Sequence, residues 1–266
     1  MVQYLHLISN TNSPTPIDIW APSGRFINPQ LLDQFAIGYF KTLPSNGYNL
    51  ELEVFQKFIQ NRLDYIDGAE LIANNAIEQV LLSGRAKARG LELLIRKNEG
   101  KLTGWIAYTL SRSEQKTPGR TPTEIGINNG EWYFTPYDKT HDISITTNYA
   151  LNKKWDLNAN FLFQTGQPIT YPEAQYRFLD FSIPNFEKRN SSRLPSYHRF
   201  DLSAIYTPDR SQKAFSGQWV FSIFNVYNRK NAASIRFQQN SDTGQNEAIR
   251  LSIFGIIPSV TYNFKF

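Results

Sequence analysis

The feature that most limits this chain is a two-residue alternation of apolar and polar side chains, kept up over longer stretches than an ordinary strand needs. In YNLELEVF, Tyr48, Leu50, Leu52 and Val54 oppose Asn49, Glu51 and Glu53. In HDISITTNYAL, Ile143, Ile145, Thr147, Tyr149 and Leu151 oppose Asp142, Ser144, Thr146 and Asn148. KWDLNANFLF sets Trp155, Leu157, Ala159, Phe161 and Phe163 against Asp156, Asn158 and Asn160, and RFDLSAIY sets Phe200, Leu202, Ala204 and Tyr206 against Asp201 and Ser203. Successive side chains of a strand point to opposite faces, so each stretch has one greasy face and one wet face. The last residues, SVTYNFKF, keep the pattern to the final position: Val260, Tyr262, Phe264 and Phe266 against Ser259, Thr261, Asn263 and Lys265.

The spacers between these stretches come in two sizes that alternate. LPSNG (43–47), KNEGK (97–101), NKK (152–154) and the slightly longer 208–216 are turn-like, as Gly, Asn and Pro supply the dihedrals tight hairpins need. The others are long, near 8–30, 67–77, 115–139, 167–196 and 239–246. This layout predicts about ten strands, near 1–8, 31–42, 48–66, 78–97, 101–114, 140–151, 155–166, 197–207, 217–238 and 247–266. The last is expected as one long strand bent at Pro258, because proline cannot donate to a ladder.

Short turns at one end and long loops at the other are the plan of a transmembrane β-barrel. A strand of about twelve residues spans ~30 Å when tilted, enough for the ~25 Å apolar band of such barrels. No run approaches the ~18 apolar residues of a membrane helix. Aromatic residues make up 14% of the chain and charged ones only 19%, a balance that suits strands with a lipid-facing side. The competing architecture is a soluble all-β carbohydrate-binding module, since soluble sheets also alternate. A sandwich has no need of strands this long with every long loop at one end.

Chemistry is sparse. There are no cysteines, and the three histidines are scattered. His141 in YDKTHD has Asp138 and Asp142 beside it, a spacing that ties down a loop-to-strand junction and lacks the further ligands a metal needs. DYIDG (64–68) is a faint echo of a calcium loop without its spacing or terminal Glu. Glu51 and Glu53 lie on one face of one strand, whereas hydrolytic carboxylates flank a bond across a cleft. No enzyme, cofactor or metal site is expected. The net charge of +5 is spread out, so a nucleic-acid partner is not expected either. The candidate ligand contacts are loop aromatics: Trp132, Tyr133, Phe134 and Tyr137 in NNGEWYFTPYDKTHD, and Tyr171 and Tyr176 in the next long loop. Such rings stack on sugars, chelates and peptides, or serve as a girdle at a membrane boundary.

Several stretches together resemble a known family. ARGLELLIRKNEGKLTGWIAYTLSRSE, EWYFTPYDKTHDISI, NFLFQTGQPITYP, RLPSYHRFDLS, FSIFNVYNRKNA and PSVTYNFKF occur in the order found in the barrel of TonB-dependent outer-membrane receptors, of the type with an N-terminal carboxypeptidase-like regulatory domain and a plug. The resemblance covers most of residues 1–266. It implies a Gram-negative outer membrane, a large barrel filled by a plug, and uptake of a siderophore, oligosaccharide, cobalamin or peptide driven by the TonB complex. It also implies that Tyr262, Phe264 and Phe266 form the signal read by the barrel-assembly machinery. No plug, TonB box or signal peptide is legible in residues 1–266. The chain is therefore expected to be the C-terminal part of a longer receptor, reaching TonB only through an N-terminal portion and performing no energised uptake alone.

Overall fold

The computed structural model describes all residues except 10–17, 72–73, 173, 179–180, 187, 209–215, 241–245 and 266. Nine long strands form one antiparallel meander in which every strand pairs with its neighbours in sequence. They are β1 (Gln30–Leu43), β2 (Tyr48–Tyr65), β3 (Leu81–Lys97), β4 (Leu102–Lys116), β5 (His141–Ala150), β6 (Trp155–Gln164), β7 (Tyr197–Tyr206), β8 (Ser216–Phe224) and β9 (Ile257–Lys265). Two small strands complete the sheet: Val2–Gln3 beside the start of β1, and Trp132–Phe134 beside the end of β4. Three single-turn 3-10 segments are the helical content among the described residues. None is long and apolar enough to cross a membrane.

Connections alternate as the spacers predict. Short turns follow β1, β3, β5 and β7, and long connections follow β2, β4, β6 and β8. The short turns are closed by local chemistry. Gly47 takes φ 64° and donates its N–H to Pro44 O at 3.3 Å. Asn152 Oδ1 accepts from the N–H groups of Lys154 at 2.9 Å and Trp155 at 3.1 Å.

Register turns the alternation into rows. Across the sheet Tyr39, Leu52, Leu93, Tyr108, Ile143, Phe163 and His198 stand opposite one another. The next row on that face is Leu50, Ile95, Ile106, Ile145, Phe161 and Phe200. Near the short turns the same face carries Trp155, Tyr206, Trp219 and Tyr262, with ring centroids 4.9 Å apart for Trp155–Tyr206 and 4.7 Å for Trp219–Tyr262. Gly217 leaves room for the Tyr262 ring, whose hydroxyl a Cβ would meet at 2.1 Å in this arrangement. The opposite face carries rows such as Asn49, Arg96, Trp105, Thr146, Asn160 and Asp201, and Asn148, Asn158, Ser203, Ser222 and Ser259. Val260, Tyr262 and Phe264 lie on the apolar face as their alternation predicts; Phe266 lies outside the described residues.

The large apolar side chains of this face stay exposed. Phe35, Ile37, Val54, Ile106, Phe221, Val260 and Phe264 are among them. Most of the buried apolar residues instead form two small cores at the long-connection end, while Phe55 is buried in the middle of β2. One joins Ile8, Ala21, Ile27, Leu63, Tyr65, Leu71 and Leu81, and the other joins Leu82, Ile127 and Tyr133. The first is covered by a hairpin of Leu5–Ser9 and Asp18–Pro22. Strands β1 to β4 run 14 to 18 residues. At ~3.3 Å per residue the longest reaches ~60 Å, so it rises well beyond a ~25 Å apolar band even when tilted.

Three expected strands are corrected. The segment 1–8 is a two-residue strand followed by the first arm of the hairpin. The segment 217–238 ends at Phe224, because Asn225 and Asn228 adopt φ 55°, a left-handed turn that Asn tolerates. The segment 247–266 divides: Asn246–Leu251 pairs with Ser234–Gln239 in a separate hairpin, and β9 starts at Ile257. The break lies at 252–256, where Asn228 Oδ1 accepts the Ile256 N–H at 3.0 Å. Pro258 sits inside β9 opposite Ile223, and β9 has no partner on its other side among the described residues, the edge position that suits proline. The direction of β9 remains the expected one.

A bulge in β2 decides where its upper half points. Gln60 pairs with Arg85 and Arg62 with Gly84, leaving Asn61 as the extra residue at φ 56°. Even-numbered residues face the apolar side below the bulge. Above it the parity inverts, so Leu63 and Tyr65 share that side and Asp64 turns to the polar one. Asn61 Nδ2 donates to Pro29 O at 2.8 Å, which holds the bulge. Replacing Asn61 with Val forces a β-branched residue into the left-handed region, at about 1–2 kcal/mol. Asn61→Gly is expected to lose much less. The check is the thermal midpoint of the detergent-solubilised protein, and equal midpoints for the Val and Gly variants would overturn this account.

Candidate functional site

The bulge delivers Asp64 to the centre of a buried polar cluster at the long-connection end. Its side chain is 9% exposed. Oδ2 accepts from Gln115 Nε2 at 2.7 Å and from the Tyr133 hydroxyl at 2.5 Å. Oδ1 accepts from Arg189 Nη1 at 2.6 Å and from the Tyr65 N–H at 2.8 Å. The Tyr133 hydroxyl also accepts from Gln115 at 3.0 Å and bonds Thr117 Oγ1 at 2.8 Å. Every element has a reason to be there. Trp132–Phe134 pairs with β4, so its alternation sends Tyr133 to the polar face beside Gln115 and leaves Trp132 and Phe134 on the other.

Arg189 comes from the long connection between β6 and β7 and is 3% exposed. It donates to Asp64, to Tyr65 O at 2.7 Å and to Asp67, and lies 4.1 Å over the Tyr65 ring. Burial works against its charge, but Asp64, Tyr65 and Asp67 raise its pKa above the ordinary arginine value. Burial and the neighbouring Asp64 likewise push the Tyr133 phenol upward, so it stays a proton donor. The guanidinium thus fills the place that a cation takes in the sequence motif DYIDG. Among the described residues no cluster of three His, Cys, Asp or Glu side chains converges on a metal position.

The same connection is clasped twice more. Asn190 Nδ2 donates to Phe134 O at 2.8 Å, and its N–H donates to Thr170 Oγ1 at 3.0 Å. Arg193 pairs with Asp138, whose Oδ1 accepts the Ser113 N–H at 2.6 Å. Asp138 in YDKTHD therefore ties its loop to β4, and the neighbouring His141 Nδ1 bonds the Tyr108 hydroxyl at 2.9 Å. Glu53 stands opposite Glu92 on the polar face.

The six loop aromatics expected to contact a ligand do not form one platform. Tyr133 is buried in the cluster. Trp132 has Lys87 Nζ 4.0 Å over its ring, Phe134 has Arg112 and Arg193 at 5.1 and 4.6 Å, and Tyr137 has Arg62 at 5.9 Å. Tyr171 packs edge-on against Phe237 with centroids 5.0 Å apart, and burial raises its phenol pKa. Tyr176 is 56% exposed on the hairpin of Ala174–Phe178 and Phe181–Asn185. Sequence reasoning missed Arg189 and Arg193, which stand among many surface-like basic residues. The available signal was DYIDG, two carboxylates without enough ligands for a metal and so in need of an organic cation.

An antiparallel meander with one lipid-like face, one wet face and its long connections gathered at one end is the wall of an outer-membrane type of β-barrel. Residues 7–228 match the family described as TonB dependent receptor-like, beta-barrel, and the chain belongs to that family. No match to a curated protein sequence was found. The similar solved structures include two receptors. One is the ferric-catecholate import receptor Fiu from E. coli K12 in its closed form, at TM-score 0.55 and 13% identity over 90% of this chain and 28% of that one. The other is the ferripyoverdine receptor of the outer membrane of Pseudomonas aeruginosa bound to ferripyoverdine, at TM-score 0.55 and 13% identity over 90% of this chain and 27% of that one. The chain therefore spans roughly a quarter of the length of these receptors.

Breaking the buried pair on one side strands the other charge. Arg189→Ala or Asp64→Ala is expected to cost about 3–5 kcal/mol of local stability. Limited proteolysis should then cut the 165–196 connection sooner in either variant, with the β-sheet signal in far-UV circular dichroism unchanged. The double variant Asp64→Leu/Arg189→Met should recover part of the loss. Wild-type cleavage rates in both single variants would show that the pair does not hold this connection.

Proposed function

We propose that the chain forms part of the wall of a nutrient-import receptor in the outer membrane of a Gram-negative bacterium, with the rest of the barrel and the plug supplied by the remainder of a longer receptor. The apolar rows lie against lipid, the polar rows line the lumen, and the long connections face outward. One observation carries this reading above all. Exposed apolar rows run continuously across the meander on one face, a surface no soluble carbohydrate-binding module keeps. The two outermost long strands support it. Neither β1 along most of its length nor β9 has a second partner among the described residues, and a ladder edge in hydrocarbon needs one.

TonB acts on such a receptor through the plug-bearing portion, and the ligand is a small scarce nutrient: a siderophore, oligosaccharide, cobalamin or peptide. An iron chelate is favoured within that set, because two of the similar solved structures are receptors for one. We assign contact with it to the loop rings Tyr137, Tyr171 and Tyr176, since Trp132 and Phe134 share the other face of the sheet and Tyr133 braces the loops.

Fractionation tests the placement. The complete receptor that contains this chain should sediment with outer membranes and need detergent for extraction, and recovery of the chain alone as a folded soluble monomer would sink the barrel reading. In the assembled receptor, Phe266→Ala is expected to lower outer-membrane abundance by removing the terminal member of the Tyr262, Phe264, Phe266 set. Unchanged surface labelling of that variant would refute an assembly role for it.

A further inference from the structure

The register gathers basic side chains that the sequence leaves dispersed. On the apolar face, just past the last apolar row toward the long connections, Arg85, Lys87 and Arg89 of β3 stand opposite Lys116, Glu114 and Arg112 of β4. Two of these three rungs oppose like charges, Arg85 with Lys116 and Arg89 with Arg112. Like charges directly across a ladder are destabilising unless a counter-charge meets them. Glu114 is the single carboxylate among the six, and it already serves two cations, Arg112 at 2.6 Å and Lys87 at 3.5 Å. The next carboxylate on this face is Asp33, across β2 on β1 opposite Phe58. The cations are open to solvent: Arg85 and Arg89 are exposed, and the Arg112 side chain is 51% exposed.

What lies on either side of the band narrows the occupant. Toward the short turns, the very next rung on this face is Leu91 with Leu110, then Leu93 with Tyr108, then Ile95 with Ile106. The Arg89–Arg112 rung stands only ~7 Å along the strand from the first apolar one, the depth at which headgroups follow hydrocarbon. On the other side, Trp132 and Phe134 share the face, with Lys87 and Arg112 over their rings. Amphipathic rings with one apolar body and one wet end settle at that boundary.

From this juxtaposition we infer that the band of Arg85, Lys87, Arg89, Arg112 and Lys116 is a binding site for the phosphate headgroup of an anionic lipid in the outer-facing leaflet, with its acyl chains along Leu91, Leu93, Leu110 and Ile106. Arg89 and Arg112 hold the phosphate between them, Lys87 and the two rings frame it, and the lipid supplies the anion that the opposed cations lack. The inference rests on the membrane placement proposed above.

The test is native mass spectrometry of the membrane-extracted protein in neutral detergent, with dioleoyl phosphatidic acid, dioleoyl phosphatidylcholine and inorganic phosphate as probes. Phosphatidic acid should be retained in preference to phosphatidylcholine, and retention should fall as salt rises. Each basic side chain near an anionic headgroup is worth roughly a factor of five, so Arg89→Gln/Arg112→Gln should weaken retention roughly 30-fold. Glu114→Gln removes the competing carboxylate and should strengthen it roughly fivefold, a gain that no misfolded variant produces. Equal retention of the two lipids, unchanged retention in the double variant, or complete displacement of phosphatidic acid by inorganic phosphate would each overturn the lipid site. A chain that extracts without detergent and retains neither lipid would overturn the membrane placement first; an inserted chain that does not discriminate would overturn this inference alone.

Discussion

In hydrocarbon a backbone N–H or C=O has no water to bond, so ladder pairing is the constraint from which the rest of this structure follows. It accounts for the sequential meander, in which each strand finds its partner in the next one along the chain. It also accounts for the two-faced rows. Once pairing fixes the register, the alternation in the sequence becomes a continuous apolar surface on one side and a mixed, more polar surface on the other. The usual hydrophobic drive to fold inward is weak in the middle of the sheet, where Phe55 is a lone buried ring among the described residues. It is concentrated at the long-connection end, where the cores around Leu63 and Leu82 form.

At that end a different device takes over. Long loops above a barrel have little apolar surface to bury, and here they are held by charge. Asp64, Arg189, Tyr133 and Gln115 bond one another in a buried cluster that leaves Gln115 Oε1 and Arg189 Nε without a protein partner, and Asp138 with Arg193 repeats the ion pair one loop further round. Such pairs bring directional fit more than net stability, since desolvation offsets much of their attraction. Their effect is to set the position of the 165–196 connection over the strand ends. The Asn61 bulge is the precondition, because without its change of parity Asp64 would project from the apolar face.

The sequence showed much of this, and its failures have physical causes. Strands β2 to β7 were legible within a few residues, because period-2 alternation and Gly- or Asn-bearing turns specify them locally. The breaks at Asn225 and at 252–256 were not, since an asparagine at positive φ looks like any polar residue in an alternating run. Pro258 attracted a bend that belongs to residues before it, because an edge strand accommodates proline on its unpaired side. Among the loop aromatics, Trp132, Tyr133 and Phe134 read as one patch in sequence, yet a three-residue strand sends the middle ring to the opposite face. Arg189 meets Asp64 across 125 residues, and pairing at that separation leaves no local trace. The basic band was hidden for the same reason, as it exists only when β3 and β4 come into register.

The ladders between strands are not equally deep. β2 and β3 share a ladder that runs from Tyr48 with Lys97 to Tyr65 with Leu81, whereas β7 and β8 share one that runs only from Leu202 with Ile223 to Tyr206 with Trp219. Seen as a mechanical object, the sheet is a thick panel joined to a thinner flap. A pulling force along the barrel rim would not tear it uniformly: among the described residues the seam between β7 and β8 has the fewest rungs of any between the long strands, and the flap of β8 and β9 would peel before the panel of β1 to β4 yields.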